Sequence, residues 1–79
     1  MQIALIILKS GIHLITKAEQ LDEEPSCHME NPYMIKEDGT LEPWPRYTND
    51  TDILLYSETI ATIVEPDEEI RKKYEIVTK

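Results

Sequence analysis

The side chains best suited to chemistry in this sequence are a cysteine and two histidines, the residue types that most often bind zinc. Cys27 and His28 are adjacent, and His13 lies far from them in the chain. A zinc site needs three or four ligands, which are commonly spaced in pairs such as Cys-x-x-Cys. No such pair occurs here. The sequence therefore predicts no metal site, and we interpret Cys27 and His28 as surface groups on an acidic loop.

Two runs of carboxylates are the next candidates, because clustered acids attract divalent cations. Residues 22–24 and 67–69 each hold three acids in a row, whereas a calcium loop alternates its ligands with other residues. We interpret the second run as the acidic start of a helix. Asn49-Asp50-Thr51 matches a glycosylation sequence, but no secretory signal accompanies it and we discount it.

Patterns typical of catalysis do not occur. There is no Ser-His-Asp or Cys-His arrangement, and no glycine-rich phosphate loop could form from two glycines. Pairs of Asp and Glu are frequent because the chain holds sixteen acids, so such a pair indicates nothing by itself. The sequence predicts a protein that is not an enzyme and has no cofactor.

The charge balance limits the classes of partner. Eight basic residues against sixteen acids give a net charge of −8, and affinity for nucleic acid comes largely from Lys and Arg at phosphates. We therefore expect neither duplex DNA nor an acidic membrane as a partner. The longest apolar run, Ile3 to Leu8, is far shorter than the roughly 20 residues of a membrane-spanning helix. A lone, unpaired cysteine fits a reducing, cytoplasmic setting.

Apolar patterning predicts a mainly β fold: a strongly bent five-stranded antiparallel sheet, or small open barrel, with a short C-terminal helix. Residues 21–29 are acidic and contain Pro25, which predicts an exposed loop. Residues 40–51 contain Pro-Trp-Pro and predict a long connection with at most a short extended edge. After Pro66 the apolar residues Ile70, Tyr74 and Val77 follow at spacings of four and three. This periodicity predicts a helix over 67–77. The five predicted strands are 2–9, 12–20, 33–36, 52–57 and 60–64.

The last two predicted strands carry no charged residue in their apolar runs, which leaves nothing to protect an open sheet edge. A chain of 79 residues is near the lower size limit for independent folding, so a partner copy is the expected source of extra stability. The sequence predicts self-association through Ile53, Leu54, Leu55, Tyr56, Ile60, Ala61, Thr62, Ile63 and Val64. Trp44 either caps an open end of the barrel or forms a subunit or partner contact, and we favour the cap.

Residues 53–63, ILLYSETIATI, resemble the second Sm motif, in which an apolar strand, a turn and another apolar strand follow one another. Residues 7–16, from Ile-Leu-Lys-Ser-Gly onward, are similar to the opening hairpin of the first Sm motif. Asn31-Pro32-Tyr33-Met34-Ile35 resembles the entry to the third strand of that motif. In its Asn-Pro-Tyr and Pro-Trp-Pro segments the chain is also similar to short Sm-like proteins of marine cyanophages.

The resemblance implies a strongly bent five-stranded sheet and a ring of roughly five to eight copies, in which strand 52–57 of one copy pairs with strand 60–64 of the next. It also implies a pocket for short single-stranded RNA, in which Asn31 binds a base and Tyr33 or Tyr56 offers a stacking face. The alternative is that Asn31 shapes the turn before Pro32 while Tyr33 packs in the core. The Arg-Gly-Asn turn of the family is Tyr-Ser-Glu here.

Three hypotheses of function follow. The first is a homo-oligomeric ring of Sm-like barrels that serves as a scaffold or interaction module. The second is a module that binds short single-stranded RNA, and the third is capture of a basic host or phage protein by the acidic rim. The expected compartment is the cytoplasm, which would be that of the host cell for a phage protein.

Overall fold

The computed structural model describes residues 1–79 as a mainly β fold with one antiparallel sheet and one short C-terminal helix, which confirms the predicted fold class. A single 3-10 turn, η1 (Ser57–Thr59), joins the last two strands. The elements in chain order are β1 (Gln2–Leu8), β2 (His13–Gln20), β3 (Cys27–Ile35), β4 (Leu41–Pro43), β5 (Asp52–Leu55), η1, β6 (Ile60–Val64) and α1 (Glu68–Val77).

The sheet begins with the β1–β2 hairpin, whose turn depends on Gly11. This residue has a φ of 96°, a conformation that costs little only for glycine. β1 lies between β2 and β6 and is apolar along nearly its whole length, as expected for a strand that is covered on both faces.

The sheet is strongly curled because its two ends are joined by a short connection. Its strands follow the order β4-β3-β2-β1-β6, and β5 also pairs with β3. In a flat sheet the four steps from β5 to β6 would span about 19 Å. Residues 55–60 reach at most about 17 Å when fully extended, and η1 shortens them further. The sheet must therefore bend until β5 and β6 approach each other, yet the two strands do not pair.

Alternating side chains give the curled sheet two different faces. The enclosed face holds the main core, with Trp44 packed against it from the loop after β4. This position agrees with the predicted cap at an open end of the barrel. The buried members of the core are Ile6, Leu8, Leu14, Cys27, Met29 and Leu55.

The opposite face of the sheet, called here the outer face, is covered by α1. Asp67 caps the helix by accepting a hydrogen bond from the backbone N–H of Ile70 at 2.9 Å, as acidic N-caps commonly do. Tyr74 is fully buried, and its ring meets that of Tyr33 edge-on with centroids 6.0 Å apart. The helix has ten residues, and no helix of the protein is long and apolar enough to cross a membrane.

Four details differ from the sequence-based expectations. The predicted loop 21–29 is shorter, because Cys27 and Met29 alternate toward the core and begin β3 there; Cys27 is therefore buried. The sheet has six strands because Leu41–Pro43 pairs with the end of β3. The strand predicted over 52–57 ends at Leu55, and Val77 is exposed on α1.

Candidate functional site

Two strand edges are open, and they belong to the strands for which the sequence predicts self-association. β5 pairs only with β3, and β6 pairs only with β1. Each strand therefore turns one row of backbone N–H and C=O groups away from the sheet, ready to pair with another strand. We call these rows the β5 edge and the β6 edge.

The third outer strand, β4, has the features that normally protect an edge. It is three residues long and contains Glu42 and Pro43, and short length, charge and proline all discourage pairing with another chain. The β6 edge has none of these features, since Ile60–Val64 contains neither charge nor proline. The β5 edge contains one charged residue, Asp52, at its start.

The side chains predicted to form the subunit interface divide between the two faces of the sheet. Leu54 and Val64 are 52% and 44% exposed. Leu55 is buried in the core, so it can offer a neighbour only its backbone. Those packed on the core are Ile53, Leu55, Ile60 and Ile63, whereas Leu54, Tyr56, Ala61, Thr62 and Val64 are exposed.

The turn η1, between the two edges, is hydrogen-bonded to the acidic loop that contains Glu24. The carboxylate of Glu24 accepts hydrogen bonds from the backbone N–H of Ser57, with distances of 3.0 and 3.2 Å to its two oxygens. This hydrogen bond holds the pKa of Glu24 below its ordinary value. The contact joins the loop before β3 to η1, the turn between the β5 and β6 edges.

Asn31 has a backbone role that the sequence alone could not separate from ligand binding. It has a φ of 53°, a left-handed conformation that asparagine tolerates better than most residues. It lies where the pairing of β2 with β3 shifts register, between Tyr33 and Glu30. Its N–H donates to the carbonyl of Thr51 at 2.7 Å. This geometry agrees with the alternative that Asn31 shapes the chain before Pro32.

The three residues predicted to bind RNA are not brought together. Asn31 and Tyr33 line a pocket of about 190 Å³ that Trp44 also borders, but Tyr56 is not among its lining residues. The ring of Tyr33 packs against Tyr74. Tyr56 lies instead between β5 and η1, where it is exposed.

The groups considered for metal binding lie apart from one another. Cys27 is buried in the core, and burial raises the pKa of its thiol. The Nε2 atom of His28 lies 3.0 Å from a carboxylate oxygen of Asp52, and the Nδ1 atom of His13 lies 3.0 Å from the carbonyl oxygen of Gly11. No group of three His, Cys, Asp or Glu side chains is arranged to hold a metal ion.

Two side chains were not assigned to a site from the sequence. Tyr47 is 99% exposed and has a φ of 66°, and no local pattern distinguishes it from a buried tyrosine. Arg71 lines a pocket of about 490 Å³ with Lys17 and Glu65. Its position depends on how α1 docks on the sheet, which the helical spacing does not determine.

Comparison with known proteins places the chain in a family but supplies no activity. The model of a family of unknown function, DUF6561, matches residues 1–79, and the chain therefore belongs to that family. A search of the curated proteins found no match.

Proposed function

We propose that this DUF6561 protein is a non-catalytic module that assembles into a homo-oligomeric ring, in which the β5 edge of one copy pairs with the β6 edge of the next. The observation that carries the proposal is the presence of two open edges on one curled sheet. Backbone pairing satisfies both rows of groups at once, because each copy offers one edge to each neighbour.

The geometry of the edges favours a ring over a two-fold dimer. Pairing one edge with a different edge is a heterologous contact, which closes into a ring when the rotation between copies is suitable. The curl of the sheet supplies such a rotation. The Sm-like resemblance suggests roughly five to eight copies, and the ring would act as a scaffold or interaction module.

The small core gives a second reason for assembly. Only 11 of 79 residues are buried in the single chain, and a chain of this length buries only about 60% of its unfolded surface. Leu54, Tyr56 and Val64 are large exposed apolar side chains at or beside the two edges. Strand pairing would cover them and stabilise each copy.

The test is a native mass measurement of the wild-type chain and of two matched variants. We expect the wild type to form one species of several copies and Val64→Glu to be monomeric, because a charge at a strand edge discourages pairing. Val77→Glu adds the same charge at a side chain of almost equal exposure, 45% against 44%. Since Val77 lies on α1, that variant should assemble like the wild type. A folded wild-type monomer at micromolar concentration would contradict the proposal.

A second candidate function, binding of short single-stranded RNA, is favoured by the pocket that Asn31 and Tyr33 share with Trp44. Amide groups can bind a base edge, and aromatic rings can stack on bases. The net charge of −8 works against this function, because few cations are available to neutralise phosphates.

Asn31→Gly separates the two roles of Asn31, because glycine keeps the left-handed backbone while removing the amide. We expect this variant to retain its stability within about 0.5 kcal/mol, whereas Asn31→Ala loses roughly 1–2 kcal/mol. Denaturant unfolding measures both values. If the wild type binds a uridine-rich oligonucleotide in a low-salt fluorescence titration, Asn31→Gly should bind it more weakly; equal binding by the two would rule out this role for Asn31.

A further inference from the structure

A cationic pocket lies on the outer face beside the end of the β6 edge. Arg71 and Lys17 line it together with Glu65 and Ile3. Neither cation lies within 4.0 Å of a carboxylate, and neither side chain donates a hydrogen bond within the protein. The other arginine, Arg46, pairs with Glu42 at 3.0 Å. Arg71 is half-buried and has no carboxylate within 4.0 Å, and Glu65 is the one acid that lines the pocket.

The outer face extends from this pocket to the β6 edge. Cross-strand partners point to the same face, and Val64 is paired with Leu5. Two residues along β1 from Leu5, Ile3 is paired with Lys17. Val64, Ile3 and Lys17 therefore share the outer face, and α1 places Arg71 over it.

The β5 edge carries acids on its own outer face. Leu55 is buried in the core and Ile53 packs against it, so Asp52 and Leu54 point the other way. One carboxylate oxygen of Asp52 lies 3.0 Å from His28 of the same chain, whereas the carboxylate of Asp50, just before this strand, makes no ion pair. The start of the β5 edge is thus acidic, while the end of the β6 edge is next to two cations.

Antiparallel pairing brings these ends together. Every strand pair within the chain is antiparallel, and such pairs outnumber parallel ones generally. In an antiparallel pair the start of β5 lies beside the end of β6 in any register. In one such register, residues on the outer face of one copy lie beside residues on the outer face of the next, and Leu54 is opposite Thr62. In the same register Asp52 of the first copy lies opposite Val64 of the second.

We propose that Arg71 and Lys17 bind the carboxylates of Asp50 and Asp52 of the neighbouring copy. The proposal rests on the proposed assembly and adds the relative direction of the two paired strands, since the opposite charges meet only when the strands are antiparallel. A guanidinium binds carboxylates through paired hydrogen bonds. The contact fixes which end of the β5 edge meets the pocket, and charge complementarity of this kind selects the correct partner orientation.

A charge-swap experiment tests the contact by native mass measurement. Arg71→Glu, and separately Asp50→Lys with Asp52→Lys, should each raise the concentration for half-assembly roughly tenfold or more. The chain that carries all three changes should recover part of the assembly, because position 71 is then acidic opposite two basic positions, while Lys17 keeps its charge. Lys72→Glu is the matched control, since Lys72 is exposed on the same helix and does not line the pocket.

The outcomes separate this contact from the assembly itself. If Val64→Glu dissociates the protein but Arg71→Glu assembles as well as Lys72→Glu, the contact is wrong and the assembly stands. Failure of the triple variant to recover assembly also overturns the contact. A monomeric wild type overturns both proposals. Should Arg71→Glu lose its fold by circular dichroism, Arg71→Gln at rising salt tests the same contact, because salt should weaken assembly of the wild type more than that of Arg71→Gln, which keeps only Lys17.

Discussion

Replacing Tyr74 by phenylalanine is expected to lower the free energy of unfolding by about 1–3 kcal/mol, although only one oxygen atom is lost. The Tyr74 hydroxyl accepts a hydrogen bond from the backbone N–H of Lys17 at 3.1 Å. It also lies 3.0 Å from the carbonyl oxygens of Glu30 and Asn31, between which it shares its proton. These partly buried backbone groups would lose that partner in the variant.

The hydroxyl matters because the β2–β3 pairing is interrupted at this point. The register shifts between Ile15 and Lys17, so the regular ladder does not satisfy the groups beside the shift. Thr16 also donates a hydrogen bond beside the register shift, from its hydroxyl to the carbonyl oxygen of Glu30 at 3.0 Å. α1 therefore serves as more than a cover, since its tyrosine completes the hydrogen bonding of the sheet.

Two further variants check the interpretation of Tyr74. Tyr74→Ala should cost about 3–5 kcal/mol, because it also removes the packed ring. Tyr47→Phe is the control, since Tyr47 is 99% exposed and its hydroxyl makes no hydrogen bond within the protein; its effect should stay within about 0.5 kcal/mol. Urea unfolding followed by circular dichroism measures all three. Equal stability of Tyr74→Phe and Tyr47→Phe would show that the buried hydroxyl contributes nothing.

Local pattern predicted most of the elements correctly where the apolar period was uninterrupted. β1 is apolar on both faces and β6 is a continuous run, so both strands were located from their composition. The helix was located from its spacing and its acidic start, although Val77 is 45% exposed. Each of these elements carries its signal within its own residues.

The third strand was predicted only over 33–36 and residues 40–51 only as a connection with at most a short extended edge, because what was missed there depends on distant partners. β3 contains Glu30, Asn31 and Pro32 in succession, which hides the alternation of Cys27 and Met29 in the same strand. β4 exists because the end of β3 has a free side to pair with, and no three-residue pattern predicts that. The cationic pocket likewise unites residues 17 and 71 through the docking of α1, which no sequence spacing shows.

The edges could be predicted because they combine a local signal with a physical requirement. The apolar runs 53–56 and 60–64 carry no charge to protect an open edge, and no other strand of the chain pairs with the outer sides of β5 and β6. The same requirement links folding to assembly. If neighbouring copies supply the cover, part of the stability of each copy is contributed by the interface, and that part varies with concentration.

The melting temperature of the wild-type chain is therefore expected to rise with protein concentration. Each tenfold increase in concentration adds up to about 1.4 kcal/mol per chain to the stability of an assembly that dissociates on unfolding. For a domain of this size, such a change shifts the midpoint by roughly 5–10 °C. Over about a hundredfold range in concentration the shift should thus be easily measured by circular dichroism or calorimetry.

Val64→Glu provides the comparison that assigns this shift to the strand edges. If the edges hold the copies together, the variant should melt at one temperature at every concentration, below the wild type at high concentration and approaching it on dilution. Val77→Glu should keep the wild-type slope, because its charge lies on α1 away from both edges. A wild-type midpoint that does not move with concentration would mean that the small core of the single chain stabilises the fold unaided. The open edges would then need another explanation.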